Sequence, residues 1–399
     1  MKIIDVRVVN SDHVNSSTAL IEVVTDEGLI GIGATSAPVP AVAAVIQAGN
    51  TSLKPLLLGE DPTNTNRLWN KMFESWQAQR GRGGEGGLAV NAMSAIDIAL
   101  WDIAGKAAGV PINQLLGGVI RDKIMAYAST SRSIRGNPIH NDSSSIWVAK
   151  TTEQMVSECK MYVEQGFKAI KYGWGDFFDS AGQESLAAIR EAIGPNIRLM
   201  LDCGPSFYLD KTLSLKEKIQ ITELLEKYDI YFLEEPVHPY DVDEFKKLTR
   251  KSPIKIATGE SLTTELDFKR FIDSSAIDVV QPDIQQMGMT QFIRVARSTQ
   301  EAGILCIPHG PWTAILIAGH LNVLSTISNG VMIEYKGFAD FEQGSTEQIV
   351  TDIHNYSIIE TPPKVKNGYL EVSNDPGLGL GNFVHESISG LITKKLLSP

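Results

Sequence analysis

Ile230-Tyr231-Phe232-Leu233-Glu234-Glu235-Pro236 is four apolar residues running into two acids and a proline. A short apolar run cut off by proline reads as a strand buried on both faces. Its closing acid sets a pattern that recurs outward in both directions. Upstream, the run 197–202 (IRLMLD) closes on Asp202. Downstream, 254–260 (IKIATGE) closes on Glu260, 277–283 (IDVVQPD) on Asp283 and 304–309 (ILCIPH) on His309, while 331–335 (VMIEY) carries Glu334. These ends lie 23 to 32 residues apart, about one strand-plus-helix unit each.

Two more β-rich runs, 124–130 and 169–172, bring the strand candidates to eight. Amphipathic stretches at 153–164, 184–193, 215–228, 265–272 and 290–302 fall between them as helices. Eight alternating units are what a (β/α)₈ TIM-like barrel requires, and an open doubly wound sheet is the alternative that pattern leaves standing. On a barrel, all six polar strand ends would meet on the C-terminal rim, where barrel enzymes keep their chemistry.

The chain divides around this core. Residues 1–122 read as an α+β capping region: strands at 3–9, 19–24 and 29–34 around the turn Asp26-Glu27-Gly28, then helical periodicity. That periodicity ends in a stripe of Ile96, Ala99, Leu100 and Ile103. The glycine-dense stretch from Arg80 to Gly87 reads as a mobile connection, since no strand precedes it to make a phosphate cradle. Residues 123–350 are the barrel, and 351–399 a C-terminal segment returning to the capping region.

Of 399 residues, 43% are hydrophobic and 21% charged, with a formal net charge of −11. That balance supplies no basic footprint for nucleic acid, and it does not exclude an anionic small-molecule substrate such as a carboxylate, since a metal and one lysine can invert the local field. Cys159, Cys203 and Cys306 have no paired spacing and no charged-then-apolar leader precedes them, which reads as cytoplasmic and disulfide-free. The most apolar stretch, 314–323, is too short to span a membrane and is broken by Gly319 and His320. A closed homo-oligomer is the default expectation.

Taken singly, each rim acid is as readily a helix N-cap or a surface charge. Asp202, Glu234 and Glu260 on successive strands would repel one another without a cation between them. They offer only hard oxygens and suit Mg²⁺ better than zinc. Glu235 should point to the other side of the strand from Glu234. Asp283 on the strand before His309 would fix that imidazole's tautomer and make it a base near neutral pH. His320 reads as packed or capping, whereas His13 and His140 lie in polar loops. Alternation through Ala169-Ile170-Lys171 puts Lys171 inside the barrel and leaves Lys168 outside.

These residues resemble the enolase superfamily and, within it, the mandelate racemase subgroup. The resemblance covers essentially the whole chain. It is carried by Ser94–Lys106 running on to Leu115-Leu116-Gly117-Gly118, by Phe232–Pro236, Gly259-Glu260 and Gln281-Pro282-Asp283, and by Pro376–Gly379. It implies Mg²⁺ on Asp202, Glu234 and Glu260, and a His309–Asp283 acid–base dyad. It also implies Lys171 beside the substrate carboxylate, and Glu334 as a hydrogen-bond donor to that carboxylate when protonated. The chemistry implied with them is that of the superfamily at large, a base working with Mg²⁺ to stabilise an enediolate. Two departures matter. The position matching a second strand-two lysine is Gly173, and the one matching a strand-three histidine is Gly204. Gln286 also stands where a basic residue is common.

A two-base racemase needs a proton carrier on each face, so both glycines weaken that reading. A dehydratase of an aldonate or aldarate can work through His309 alone, and glycine leaves room for a polyhydroxylated substrate. Additional acid from Tyr172, Tyr208, His13 or His140 is unsupported by any motif. The alternatives are a racemase or epimerase of a 2-hydroxy acid and a barrel that binds without catalysis. Capping loops near 12–17 and 35–40 would set specificity by closing over the rim. Arg80 and Arg82 are candidates for a distal carboxylate or hydroxyl of the substrate, but exposed loop arginines are more often solvated.

Overall fold

The computed structural model describes residues 1–10, 18–80, 86–131, 133–135, 147–173, 177–204, 213–310, 313–336, 340–341, 348–349, 356–384 and 390–391. Ile3–Asn10, Ala19–Thr25 and Ile30–Thr35 form an antiparallel sheet, and Gly390–Leu391 pairs with Val9 and Asn10 at its edge. The far end of the chain therefore returns to its beginning.

Helix Leu88–Ala108 lies across this sheet. The approach is close enough that a Cβ on Gly31 or Gly33 would strike the carbonyl oxygens of Ala99 and Ala95. Glycine at these two positions is thus a packing requirement. The helix is long and apolar enough to cross a membrane by composition, but 83% of its apolar window is packed inside the protein. The predicted stripe of Ile96, Ala99, Leu100 and Ile103 is fully buried there.

Eight parallel strands follow: Lys123–Ser131, Ala169–Gly173, Arg198–Asp202, Ile230–Glu234, Lys255–Thr258, Val279–Val280, Leu305–Cys306 and Met332–Lys336. Pairing runs from the seventh down to the first, and the first pairs with the eighth. One residue from each of seven strands, and Ile307 just past the end of the seventh, pack into a single interior cluster: Tyr127, Ala169, Met200, Phe232, Ala257, Val279, Ile307 and Met332. Side chains from strands one and five can share a core only if the sheet curls shut, which rejects the open doubly wound sheet. Helices Thr152–Glu164, Leu215–Glu226 and Glu265–Ser274 each begin on a capping box, which sharpens the turn out of the preceding loop. The three cysteines are buried and form no disulfide.

Candidate active site

Strand alternation places the functional side chains. On the second strand Ala169 and Lys171 face inward, while Ile170 and Tyr172 join the outer core and Lys168 is exposed. Lys171 Nζ lies 2.5 Å from Glu234 Oε2, 3.2 Å from Glu334 Oε1 and 3.9 Å from Asp202 Oδ2. Burial alone would pull its pKa down, but Glu234 and then Glu334 hold it well above the ordinary lysine value.

Asp202 and Glu234 are register partners on strands three and four. Burial pushes Asp202 upward, with Lys171 opposing and Glu260 adding to the rise. Burial likewise pushes Glu234 up to about 8, against Lys171 and with Asp202. Gly204, at φ +50°, turns its N–H onto Asp202 Oδ1 at 2.7 Å. A Cβ on Gly173 would stand 3.0 Å from Asp202 Oδ2, so a side chain there would crowd the first acid.

His309 and Asp283 meet as expected, with Nδ1 2.9 Å from Asp283 Oδ2. Asp283 is also the N-cap of helix Ile284–Ala302, accepting from Gln285 N and from Gln285 Nε2. The capping reading and the dyad reading therefore hold together. His309 Nε2 lies 3.0 Å from Glu260 Oε2. Burial would lower the imidazole pKa, but Glu260 and then Asp283 raise it to about 10. Glu260 and Asp283, one at each ring nitrogen, both favour the proton on the ring.

Glu334 lies beside Lys171. Burial would favour its proton, yet Lys171 and then His309 bring it down to about 2. It is held ionised, so the expected donor role requires it to gain a proton first. Glu235 follows the last residue of its strand and has φ +45°. Burial, then Glu260 and Glu234, raise its pKa well above the usual carboxylate range. Thr258 Oγ1 donates to it at 3.0 Å. Tyr172 is not a further acid for substrate, since its hydroxyl faces the outer layer and donates to Glu158 Oε2 at 2.6 Å. His320 caps, its Nε2 accepting from Ile284 N at 3.1 Å. Gln286 Oε1 accepts from Asn91 Nδ2 of the capping helix at 2.9 Å. His13, His140, Tyr208, Arg82, the side chain of Arg80 and the loop at 12–17 lie outside the described residues.

Among the described residues, no three carboxylate, imidazole or thiol groups converge closely enough to hold an ion between them. The pairs Lys171–Glu234 and His309–Glu260 explain this, because each carboxylate has turned to a nearby cation. The donor set nevertheless fits a hard divalent cation: three carboxylates short of positive charge, with Glu234 Oε1 buried and without a hydrogen-bond partner. Two residues of the site escape the motif pattern. Gln285, which holds Asp283, gives no signal at all, and Lys336 is signalled only by its place two residues after Glu334 on the same strand.

Two family models match: residues 6–117 as the mandelate racemase / muconate lactonizing enzyme N-terminal domain, and residues 154–381 as enolase C-terminal domain-like. The chain belongs to the enolase superfamily, in its mandelate racemase branch. Among relatives of this superfamily member, the D-galactarolactone cycloisomerase of Agrobacterium fabrum is 29% identical, over 90% of this chain and 88% of its own. The D-galactonate dehydratase of Pectobacterium atrosepticum is also 29% identical, over 90% and 87%. The crystal structure of the 3,6-anhydro-D-galactonate cycloisomerase of Zobellia galactanivorans superposes with a TM-score of 0.77 at 28% identity, covering 100% of this chain and 99% of its own. An enolase of Agrobacterium radiobacter, solved with sodium and L-malate bound, gives 0.79 at 25%, covering 97% and 94%.

Proposed function

We propose that this superfamily member is a magnesium-dependent acid-sugar dehydratase acting on an aldonate or aldarate. The observation that carries this reading is His309, anchored at Nδ1 by Asp283 and presenting Nε2 to a rim of carboxylates beside Lys171. Asp202, Glu234 and Glu260 would hold Mg²⁺. When bound, that ion supplies the positive charge the acids lack and steadies the charge building on the substrate carboxylate. Lys171 binds that carboxylate, and Glu334 orients Lys171 through their ion pair. His309 Nε2 takes the proton from C2, giving an enediolate whose electrons expel the oxygen at C3. The product is a 2-keto-3-deoxy acid. Relatives named as a dehydratase and as cycloisomerases support elimination of a β-oxygen.

The cycloisomerase names favour a second reading, in which the leaving oxygen belongs to a ring and stays attached. A racemase of a 2-hydroxy acid is less well supported, because neither Gly173 nor Gly204 can carry a proton. The test is incubation with Mg²⁺ and a panel of aldonates, aldarates, their lactones and anhydro acids in D₂O, followed by proton NMR. A C3 methylene appearing from an open-chain acid supports dehydration, and one appearing only from cyclic acids supports ring opening. Loss of the C2 signal without a methylene would replace both by racemisation, and silence throughout would remove the substrate class.

A further inference from the structure

With Tyr172 facing outward and glycine at 173 and 204, His309 is, of the candidates among the described residues, left to serve both C2 and the departing oxygen. The eighth strand offers another group. Met332, Glu334 and Lys336 alternate on its inner face: Met332 belongs to the interior cluster and Glu334 meets Lys171. Lys336 is paired in register with Ser129 of the first strand, and Ser129 with Lys171 of the second. The two lysines thus stand level, on either side of strand one. The charge of Lys336 responds to Glu334, Lys171, Asp202 and Glu260, groups carried on strands eight, two, three and the end of five. Alternation puts Lys336 on the inner face with Glu334, and register sets it level with Lys171. Burial, opposed by Glu334, brings the Lys336 pKa down to about 8, a value at which an amine both gives and takes protons.

We propose that Lys336 is the second proton-carrying residue of this site, delivering the proton to the oxygen that leaves C3 while His309 works at C2. The proposal rests on the elimination reading above. His309 takes the C2 proton, and the C–H electrons become the C1–C2 bond of the enediolate. These electrons then form the C2–C3 double bond as the C3–O bond breaks. The departing oxygen keeps its electron pair and takes a proton from the Lys336 ammonium, leaving as water. In the enol that remains, neutral Lys336 takes the O2 proton and the His309 imidazolium protonates C3. Both groups end as they began. Strands seven and eight are neighbours around the barrel, so the two groups approach from one side. That fits elimination of groups on one face and not racemisation, which needs carriers on opposite faces.

The test uses the magnesium-loaded full chain, the panel member that it dehydrates, and the 3-deoxy-3-fluoro counterpart, whose fluoride leaves without a proton. Lys336→Met and Lys336→Arg should each lose water elimination by at least about 10²-fold. Both should keep C2 proton exchange and fluoride release near the unaltered rate. His309→Asn should lose all three. Water elimination retained in Lys336→Met, or fluoride release lost together with it, would overturn the proposal. If the unaltered chain eliminates nothing, the elimination reading fails and the placement of Lys336 is judged separately. Limited acetylation with peptide mapping should then show Lys336 shielded severalfold by tartronate with Mg²⁺. Absence of shielding would overturn the placement.

Discussion

Lys171 Nζ stands 3.2 Å from Glu334 Oε1, joining the second barrel strand to the eighth across the top of the first. The same ammonium lies 2.5 Å from Glu234 Oε2, so one cation ties together both sides of the mouth. All three groups are buried. Lys171→Met strands two carboxylates at once, and the expected loss of folding stability is about 3–5 kcal/mol by urea denaturation. Adding Glu334→Gln should recover part of it, because one of the stranded charges is gone. A double variant no more stable than the single one would mean that Lys171 and Glu334 do not depend on each other.

The acids on strands three to five are short of positive charge, and Mg²⁺ should therefore stabilise the fold. Ligand linkage gives about 2.7 kcal/mol at a hundredfold excess over Kd, read as a rise in Tm that EDTA reverses. Asp202→Asn and Glu234→Gln should abolish the rise. Neutralising Glu260 also removes the largest influence that raises His309, so an NMR titration should show its pKa falling from about 10 when Mg²⁺ is added. An unmoved midpoint would separate Glu260 from the ion.

His309→Asn should reduce C2 proton exchange by roughly 10²–10⁴-fold while leaving the Mg²⁺-dependent rise in Tm in place. Asp283→Asn should do nearly the same, since Asp283 Oδ2 holds the Nδ1 side of the ring. Exchange surviving in both variants would assign the base elsewhere.

Acid sensitivity should begin at His320. Burial brings its pKa down to about 3 from 6.5, so the unfolded chain takes up a proton that the folded one refuses. Its contribution is fully present above about pH 6.5 and is lost as pH falls towards 3. By pH 5 the loss is about 2 kcal/mol. His320→Gln should flatten stability between pH 6.5 and 5. A slope equal to that of the unaltered chain would show that the ring is not what titrates.

Gly33→Ala tests the capping sheet. Its new Cβ would press on the Ala95 carbonyl, backbone against backbone, where no side chain can swing aside. The strand must lift off the helix, with an expected loss of several kcal/mol by denaturation. A change within about 0.5 kcal/mol would show that the contact yields.

The barrel was legible because its strands are apolar runs closed by polar residues at regular spacing, and Glu234 and His309 stand where those runs end. Alternation carried Lys171 inward, and by the same rule it already carried Tyr172 outward. Two features escaped for physical reasons. Glu235 takes a positive φ just past its strand, a backbone state that a pattern of apolar runs does not signal. The charge on His309 depends on Glu260, a neighbour two strands away that no local pattern connects to it.

Gln285 sits between the two halves of the molecule. Its Oε1 accepts from Ser36 N of the capping region at 3.3 Å, and its Nε2 donates to Asp283 Oδ2 at 2.5 Å, the oxygen that also engages His309. One amide therefore answers to the cap at one end and, through Asp283, to the His309 imidazole at the other. A ligand that wedges the cap away from the rim loosens the grip on the imidazole without ever touching it. An ill-fitting sugar would thus be refused by posture as well as by shape.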